Sequence, residues 1–266
     1  TLPPGSIFKI ITTAAGLNNG FDPSSTLTGS NVITLPDTVT ELTNYANQKC
    51  NGQDSVTLQT AFALSCNTAF VEMSEQIGAD ELRKYAKAFG VGENYDLGVS
   101  TSGGTLGDLP DGAATAQSAI GQRDVTMTAL QAAVMAGTVA NKGTRMQPYL
   151  VNRITDAQMK DVRTTKPKKA DQAVNEETAA TLTDLMYASE RSSWGYDGNG
   201  FASKTGTAEH GEGLAPHVWY VAFDPERDIA VGVVVKNGGN LGESATGGKV
   251  SGPIGRAILR AYQGEQ

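Results

Sequence analysis

The chain has 266 residues, enough for one large domain or two small ones with a real hydrophobic core. With 39% hydrophobic and 18% charged residues it has an ordinary globular mix. The 21 basic against 28 acidic residues leave a net charge of −7, opposite to the balance of a nucleic-acid or anionic-membrane binder.

No apolar run reaches the ~18 residues of a membrane-spanning helix, and no signal peptide opens the chain. The chain starts almost on top of its strongest motif, so an anchor or targeting segment is expected upstream of Thr1. The run Lys166-Pro167-Lys168-Lys169 is the one basic cluster and reads as a solvated loop.

The first motif is Pro3-Pro4-Gly5-Ser6-Ile7-Phe8-Lys9. From Ile7 to Leu17 nearly every residue is small or apolar, the pattern of a buried helix. Asn18-Asn19-Gly20 stops it. If the helix opens at the motif, Ser6 and Lys9 share one face about a turn apart, with backbone N–H groups and the dipole at hand. Residues 21–56 are rich in Thr, Ser, Asn, Pro and Gly and read as loops with short strands.

A helical pattern returns with Leu58, Ala61, Phe62 and Leu64, and breaks at Ser65-Cys66-Asn67. It resumes from Thr68 to Ile77, breaks again at Gly78-Ala79-Asp80, and runs from Glu81 to Phe89 before Gly90. Residues 97–113 are Gly-rich. Gly121-Gln122-Arg123-Asp124 precedes a long helix with Thr126 as its cap and a stripe of Leu130, Ala133, Val134, Ala136 and Val139. Asn141-Lys142-Gly143 ends it, Tyr149 to Ile154 reads as a strand, and 156–172 as polar, exposed chain. Asn175 caps a helix with Glu176 and Glu177 in its first turn, running to about Ser189.

The period then changes to that of strands: Phe201–Thr207, His217–Phe223 and Ile229–Val235. The turn Asp224–Asp228 joins the last two as a hairpin, and a helix over about Ser251–Tyr262 closes the chain. This is an α+β chain, a mainly helical region packed on an antiparallel sheet.

Chemistry can come from three places. A Lys kept from water beside Ser6 can take its proton and make it a nucleophile. Alone, Ser6-x-x-Lys9 reads first as a capping serine and a surface lysine, but a lysine in an apolar helix carries a charge that is costly to bury. Ser65 and Asn67, between two helices, read either as caps or as a hydroxyl and an amide bonded to the Lys9 amine and to an incoming amide. Lys204-Thr205-Gly206 lies on a strand. It reads either as a strand lysine beside a bulge, or as charge and hydroxyl for a carboxylate, with Gly206 letting a substrate backbone lie on the edge. The Thr207 N–H, with that of Ser6, then makes an oxyanion hole.

The order Ser6-x-x-Lys9, Ser65-x-Asn67, Lys204-Thr205-Gly206 is the signature of the penicillin-recognising serine enzymes. Pro3-Pro4-Gly5-Ser6, Ile120-Gly121-Gln122 and Lys204-Thr205-Gly206-Thr207-Ala208-Glu209 resemble the transpeptidase domain of a class B penicillin-binding protein, in its actinobacterial form. The resemblance covers most of the chain. It implies one transpeptidase domain over 1–266, truncated at its N-terminus, with a helical subdomain over about 20–155. It also implies a sheet with helices on both sides, an active site between sheet and subdomain, and N-terminal sheet strands missing from this chain.

The resemblance further implies a peptidoglycan D,D-transpeptidase. Ser6 is acylated by the D-Ala–D-Ala amide of a stem peptide, with Lys9 as base or relay and Ser65 and Asn67 as proton shuttle and orienter. Lys204, Thr205, Gly206 and Thr207 bind substrate, D-Ala leaves, and an amine from a neighbouring stem resolves the ester. β-Lactam antibiotics acylate the same serine. No cofactor or metal is implied, and no nucleic acid. A membrane glycosyltransferase and division or elongation proteins are the implied partners. The extracytoplasmic face of the membrane is the implied location, reached by an N-terminal anchor absent from this chain.

Two alternatives stay open, a serine β-lactamase and a non-catalytic penicillin-binding sensor. The Glu-x-x-x-Asn of a class A β-lactamase does not occur between the second and third motifs, and Glu190-Arg191-Ser192-Ser193 does not fit it. Arg123 stands where many relatives have Gly, and Asp124 or Glu209 is its expected partner. Cys50 and Cys66 are either two buried thiols or a disulfide beside the site, the latter in an oxidising compartment. His210 falls near the cleft rim and His217 reads as structural.

Overall fold

The computed structural model describes residues 1–211 and 213–264. A 3-10 turn, Gly5–Phe8, leads into α1 (Lys9–Leu17), so Ser6 lies ahead of the α-helix and not in its first turn. Every residue from Lys9 to Gly16 is buried, as its apolar composition requires. Four short strands follow, β1 (Thr26–Thr28), β2 (Val32–Thr34), β3 (Glu41–Thr43) and β4 (Ser55–Thr57), pairing β1 with β4 and β2 with β3. The Thr57 hydroxyl accepts from Thr60 N–H and caps α2 (Leu58–Leu64). Ser65 ends α2 in the left-handed conformation, and α3 (Asn67–Ala88) follows, broken at Gly78 where φ is 77°.

The Gly-rich stretch ends in α4 (Gly112–Ala119), a helix that its small side chains do not announce in the pattern; Asp111 caps it. The cap of α5 (Ala129–Ala140) is Thr128, not Thr126. Thr128 and Gln131 form a capping box, while Thr126 pairs with Thr105 in an isolated bridge. Its buried face is Gln131, Ala132, Met135, Ala136, Thr138 and Val139; Leu130, Ala133 and Val134 are only half-buried. Small residues face the sheet because the α5 backbone presses on Gly232, whose missing side chain admits it.

The segments β5 (Thr144–Met146), β6 (Arg153–Thr155), β7 (Asp161–Thr164) and β8 (Lys169–Gln172) pair as β5 with β8 and β6 with β7. The strand expected over Tyr149–Ile154 thus begins only at Arg153. The polar stretch 156–172 is exposed but for half-buried Thr165 and holds two strands, β7 and β8; the turn from β6 into β7 is fixed by Asp156, whose carboxylate accepts from Gln158 and Lys160 N–H. Lys166 to Lys169 are all exposed.

Asn175 caps α6 (Glu176–Ser192), which runs one turn past the expected end. The principal sheet is antiparallel, β9 (Ala202–Ala208), β10 (His217–Asp224) and β11 (Ile229–Val235), in the order β11-β10-β9. α7 (Gly247–Gly264) closes the chain and starts before Ser251, because Gly247 sits directly on Gly206 and Trp219.

All eight residues of β10 are buried, the mark of a central strand covered on both faces. Trp219, Val221 and Phe223 pack with α1, α5 and α6, whereas Tyr220 and Ala222 pack with Leu259 of α7. Helices therefore lie on both sides of the sheet. No helix among the described residues is long and apolar enough to cross a membrane.

Candidate active site

The chain ahead of Ser6 is held at three points. Leu2 and Met127 exchange backbone hydrogen bonds at 2.9 Å, Trp219 Nε1–H donates to Pro3 O at 2.8 Å, and Gly5 N–H donates to Gly121 O at 2.9 Å. Gly5 has φ 54°, and a methyl there would lie 2.9 Å from Thr207 O, so only glycine seats this turn against β9. Ser6 is left half-buried, between fully buried Ile7 and Phe8 on one side and Gly5 on the other.

Helical spacing suggests a direct Ser6–Lys9 contact, but the Lys9 amine turns elsewhere. It donates to Ser65 O at 2.8 Å, Ser65 Oγ at 3.2 Å and Asn67 Oδ1 at 2.7 Å, one acceptor for each of its three hydrogens. Lys204 Nζ reaches the same Ser65 Oγ at 3.0 Å and Thr205 O at 3.1 Å. Both lysines are fully buried, and neither is in an ion pair with a carboxylate among the described residues. Lys9 lies over the Phe70 ring at 5.2 Å and Lys204 over the Phe62 ring at 5.8 Å.

Two unpaired buried amines sharing one hydroxyl lose their protons easily. Burial, with the Lys204 charge adding to it, takes Lys9 well below the ordinary lysine range. Burial brings Lys204 down to about 7. Near neutral pH one amine can carry the proton while the other offers a lone pair, with the Ser65 hydroxyl donating to one and accepting from the other.

Ser65 holds this post with φ 60°, ψ 41°, a strained setting for a residue with a side chain. Its neighbours fix it. Cys66 is disulfide-bonded to Cys50 with 5.7 Å between Cα atoms, and Cys66 N–H donates to Ala61 O at 2.9 Å. Asn67 Nδ2 donates to Thr43 O at 3.1 Å, and Asn44 Oδ1 accepts from Thr68 N–H at 3.0 Å. Thr43 and Asn44 escape a reading of the sequence, since only the folded chain brings the 44–48 loop to the start of α3.

On β9, Gly206 packs directly under the turn that carries Ser6. A methyl there would lie 2.7 Å from Pro4 O and 3.1 Å from the Ile7 side chain. The missing side chain thus admits the turn that seats Ser6. Thr205 and Thr207 are half-buried and line a cleft of about 280 Å³ with Ser65, Tyr45, Leu64, Trp194 and Gly247. Thr207 Oγ1 accepts from Gly247 N–H at 3.3 Å. Tyr45 and Trp194 are 74% and 59% exposed, and with Leu64 they give the cleft an apolar wall. Lone loop aromatics follow no period, so no pattern in the sequence marks them.

The remaining candidates do not line this cleft. Arg123 pairs with Asp124 at 3.3 Å and donates to Asp108 O; Glu209 is not its partner. His210 and His217 stack with ring centres 3.9 Å apart, and His217 Nδ1 accepts from Asn237 N–H at 3.1 Å. Glu190 is buried, its carboxylate bonded to Arg256 Nε at 2.6 Å, Asn199 Nδ2 at 2.9 Å, Tyr220 OH at 3.0 Å and Ser203 Oγ. Burial alone would raise its pKa; these donors and the Arg256 charge bring it below the usual value. Every lone pair it has is engaged, so it has none for a water in the cleft.

The family model for the penicillin binding protein transpeptidase domain matches residues 1–260. Peptidoglycan D,D-transpeptidase PbpA of Mycolicibacterium smegmatis is 45% identical over 270 residues, covering 98% of this chain and 55% of that protein. The protein of the same name from Mycobacterium tuberculosis is 43% identical over 277 residues, covering 100% of this chain and 56% of that protein. The chain thus spans about half the length of these curated relatives. The ceftriaxone acyl-enzyme complex of penicillin-binding protein A from M. tuberculosis superposes with a TM-score of 0.94 at 42% identity, over 98% of this chain and 60% of that one.

Proposed function

We propose the following chemistry for a chain that belongs to the penicillin-binding protein transpeptidase family: it is the acyl-transfer domain of a peptidoglycan D,D-transpeptidase. The observation that carries this reading is the meeting of Lys9 and Lys204 at the Ser65 hydroxyl, with Lys9 three residues after the turn that holds Ser6. Ser6 Oγ attacks the carbonyl of the D-Ala–D-Ala bond, its proton passing to Lys9 once that amine is neutral. Ser65 and Lys204 carry the proton on to the leaving D-Ala nitrogen. Asn67 orients the donor amide, Thr205 and Thr207 take the terminal carboxylate, and the N–H groups of Ser6 and Thr207 hold the oxyanion. Gly206 keeps the turn at Ser6 against the strand.

Residues 1–266 act as one transpeptidase domain, with a helical subdomain over about 20–155. The domain works on peptidoglycan stem peptides and is acylated by β-lactams, as penicillin-binding protein A from M. tuberculosis is in its ceftriaxone acyl-enzyme complex. It belongs on the extracytoplasmic side of the membrane, held by an anchor outside these residues. A membrane glycosyltransferase and division or elongation proteins are its partners there. The β-lactamase reading is disfavoured by Glu190, whose carboxylate is held by Arg256, Ser203, Tyr220 and Asn199 away from any cleft water.

A fluorescent penicillin, followed by peptide mapping with mass spectrometry, tests the assignment. Label on the peptide carrying Ser6, stable for hours, is expected. Label elsewhere, or none on folded protein, sinks it, and release within seconds favours a β-lactamase.

A further inference from the structure

β10 opens at His217, which pairs in register with Ala208 of β9, the residue after Thr207. Its ring is buried and stacks on that of His210 from the β9–β10 connection, with 3.9 Å between ring centres. Backbone partners fix where each ring carries hydrogen. His210 Nε2 lies 2.9 Å from Ala215 O, and a carbonyl oxygen only accepts, so that nitrogen bears a hydrogen in either protonation state. His217 Nδ1 takes the Asn237 N–H at 3.1 Å, and a backbone N–H only donates, so Nδ1 must be bare. A proton on His217 therefore removes a hydrogen bond, whereas one on His210 does not.

Asn237 belongs to the glycine-rich segment Lys236–Ser244, which joins β11 to α7. Asn237, Gly238, Gly239 and Gly242 have φ of 52°, 67°, 55° and 54°, backbone that its surroundings must hold in place. Among the described residues, the bond to His217 is the one hydrogen bond that ties 237–244 to another element. From this segment the packing runs on to the cleft. A methyl on Gly238 would lie 2.8 Å from the Ala245 Cβ, so the two residues are in direct contact. Thr246 and Gly247 come next. Both line the cleft with Thr205 and Thr207, and Gly247 N–H donates to Thr207 Oγ1 at 3.3 Å. His217 thus stands behind one wall of the cleft without lining it.

We propose that His217 is a positioning residue that latches this wall: neutral, it fixes the 236–244 segment and with it Thr246 and Gly247 against Thr207; protonated, it lets the segment go. The titratable groups on the elements around it are Glu209 and His210 beyond β9, Lys236 and Glu243 on the segment, and Lys249 on α7. Neither acid is in an ion pair among the described residues, so no carboxylate is there to welcome the imidazolium. Burial, and then the His210 and Lys236 charges, hold the ring below its ordinary 6.5. Once released, the ring is wet and titrates near 6.5, so the released state binds the extra proton. Release is therefore favoured as pH falls below about 6.5, by up to about tenfold per pH unit, until the latched ring is itself protonated. Above about 6.5 the latch stays closed and insensitive to pH. The effect on acylation rests on the acyl-transfer reading of Ser6; the release of the segment does not.

Amide hydrogen exchange followed by mass spectrometry reads the latch on peptides covering 236–247, at about pH 7.5 and about pH 5.5, corrected for the intrinsic rate. The wild type is expected to lose protection there at least ~3-fold on acidification, with α5 unchanged. In His217→Asn an amide oxygen takes the place of Nδ1 and cannot be protonated, so protection should be equal at both pH values. In His217→Leu no acceptor remains, and protection should be low at both. A smaller loss in the wild type, an equal loss in His217→Asn, or a loss shared by α5 overturns the proposal. If His217→Leu fails to fold, the other two proteins decide it. Acylation of Ser6 by a fluorescent penicillin is then timed at the same pH values. Lys9 and Lys204 titrate alike in both proteins, so the ratio of wild-type to His217→Asn rates isolates the histidine. That ratio should fall at least ~2-fold on acidification, and a constant ratio overturns the link to the cleft. If neither protein is labelled, the Ser6 reading fails, while the exchange still decides the latch.

Discussion

Replacing Lys204 by methionine keeps an unbranched side chain, one atom shorter, and removes the charge. Burial lowers this amine from its ordinary 10.5 to about 7, which corresponds to about 5 kcal/mol. Below about pH 7 both the folded and the unfolded chain hold the proton, and the burial penalty is present in full. Between about 7 and 10.5 only the unfolded chain holds it, so wild-type stability rises with pH, by up to about 1.4 kcal/mol per pH unit. The methionine variant lacks this dependence. Loss of the bonds to Ser65 Oγ and Thr205 O weakens it by a near-constant amount, which does not change the slope. Relief of Lys9, whose lowering Lys204 shares in, acts in the same direction. Urea titrations at about pH 7 and about pH 9 should show wild type gaining about 2 kcal/mol relative to Lys204→Met over that range. Parallel stability curves would refute two buried, competing amines.

Reduction of Cys50–Cys66, or Cys50→Ser with Cys66→Ser, opens a link over a sequence separation of 16. It should lower stability by about 3 kcal/mol and slow penicillin labelling, because Ser65 and Asn67 flank Cys66; an unchanged melting temperature would count against it. Gly206→Ala pushes a methyl to 2.7 Å from Pro4 O. A loss of about 1–3 kcal/mol in urea titration and slower acylation of Ser6 should follow; wild-type labelling kinetics would show that the seat does not matter. Glu190→Ala strips Arg256 of its buried partner and should cost about 3–5 kcal/mol in the same titration. Labelling per folded molecule should persist, and its loss with stability retained would instead place Glu190 in the chemistry.

The main elements were legible because their apolar residues mark what is buried. α1 is apolar all round and lies wholly inside, and β10 is apolar on both faces and lies at the centre of the sheet. The breaks were legible where backbone chemistry demands special residues, at Gly78 and at Ser65-Cys66-Asn67. α4 was hidden because a helix of Ala, Gly, Ser and Thr has no large residues to mark a face, and the start of α5 was misplaced because Thr126 and Thr128 are equally good caps by type. Only the folded chain separates the two threonines, by pairing one with Thr105.

The residue types for acyl transfer, and their order along the chain, are set by the sequence alone, because a Ser-Lys pair, a Ser-x-Asn turn and a Lys-Thr-Gly strand each carry a local chemical requirement. Their partners are not. Lys9 faces Ser65 and Asn67, at sequence separations of 56 and 58, and Lys204 meets Ser65 at 139. No local rule reaches over such distances. The helix sets where Lys9 points, but tertiary packing removes the water and the counter-charges that would have kept it a simple cation. The same holds for Gly206, a glycine by sequence and the seat of Ser6 only once Pro4 lies upon it.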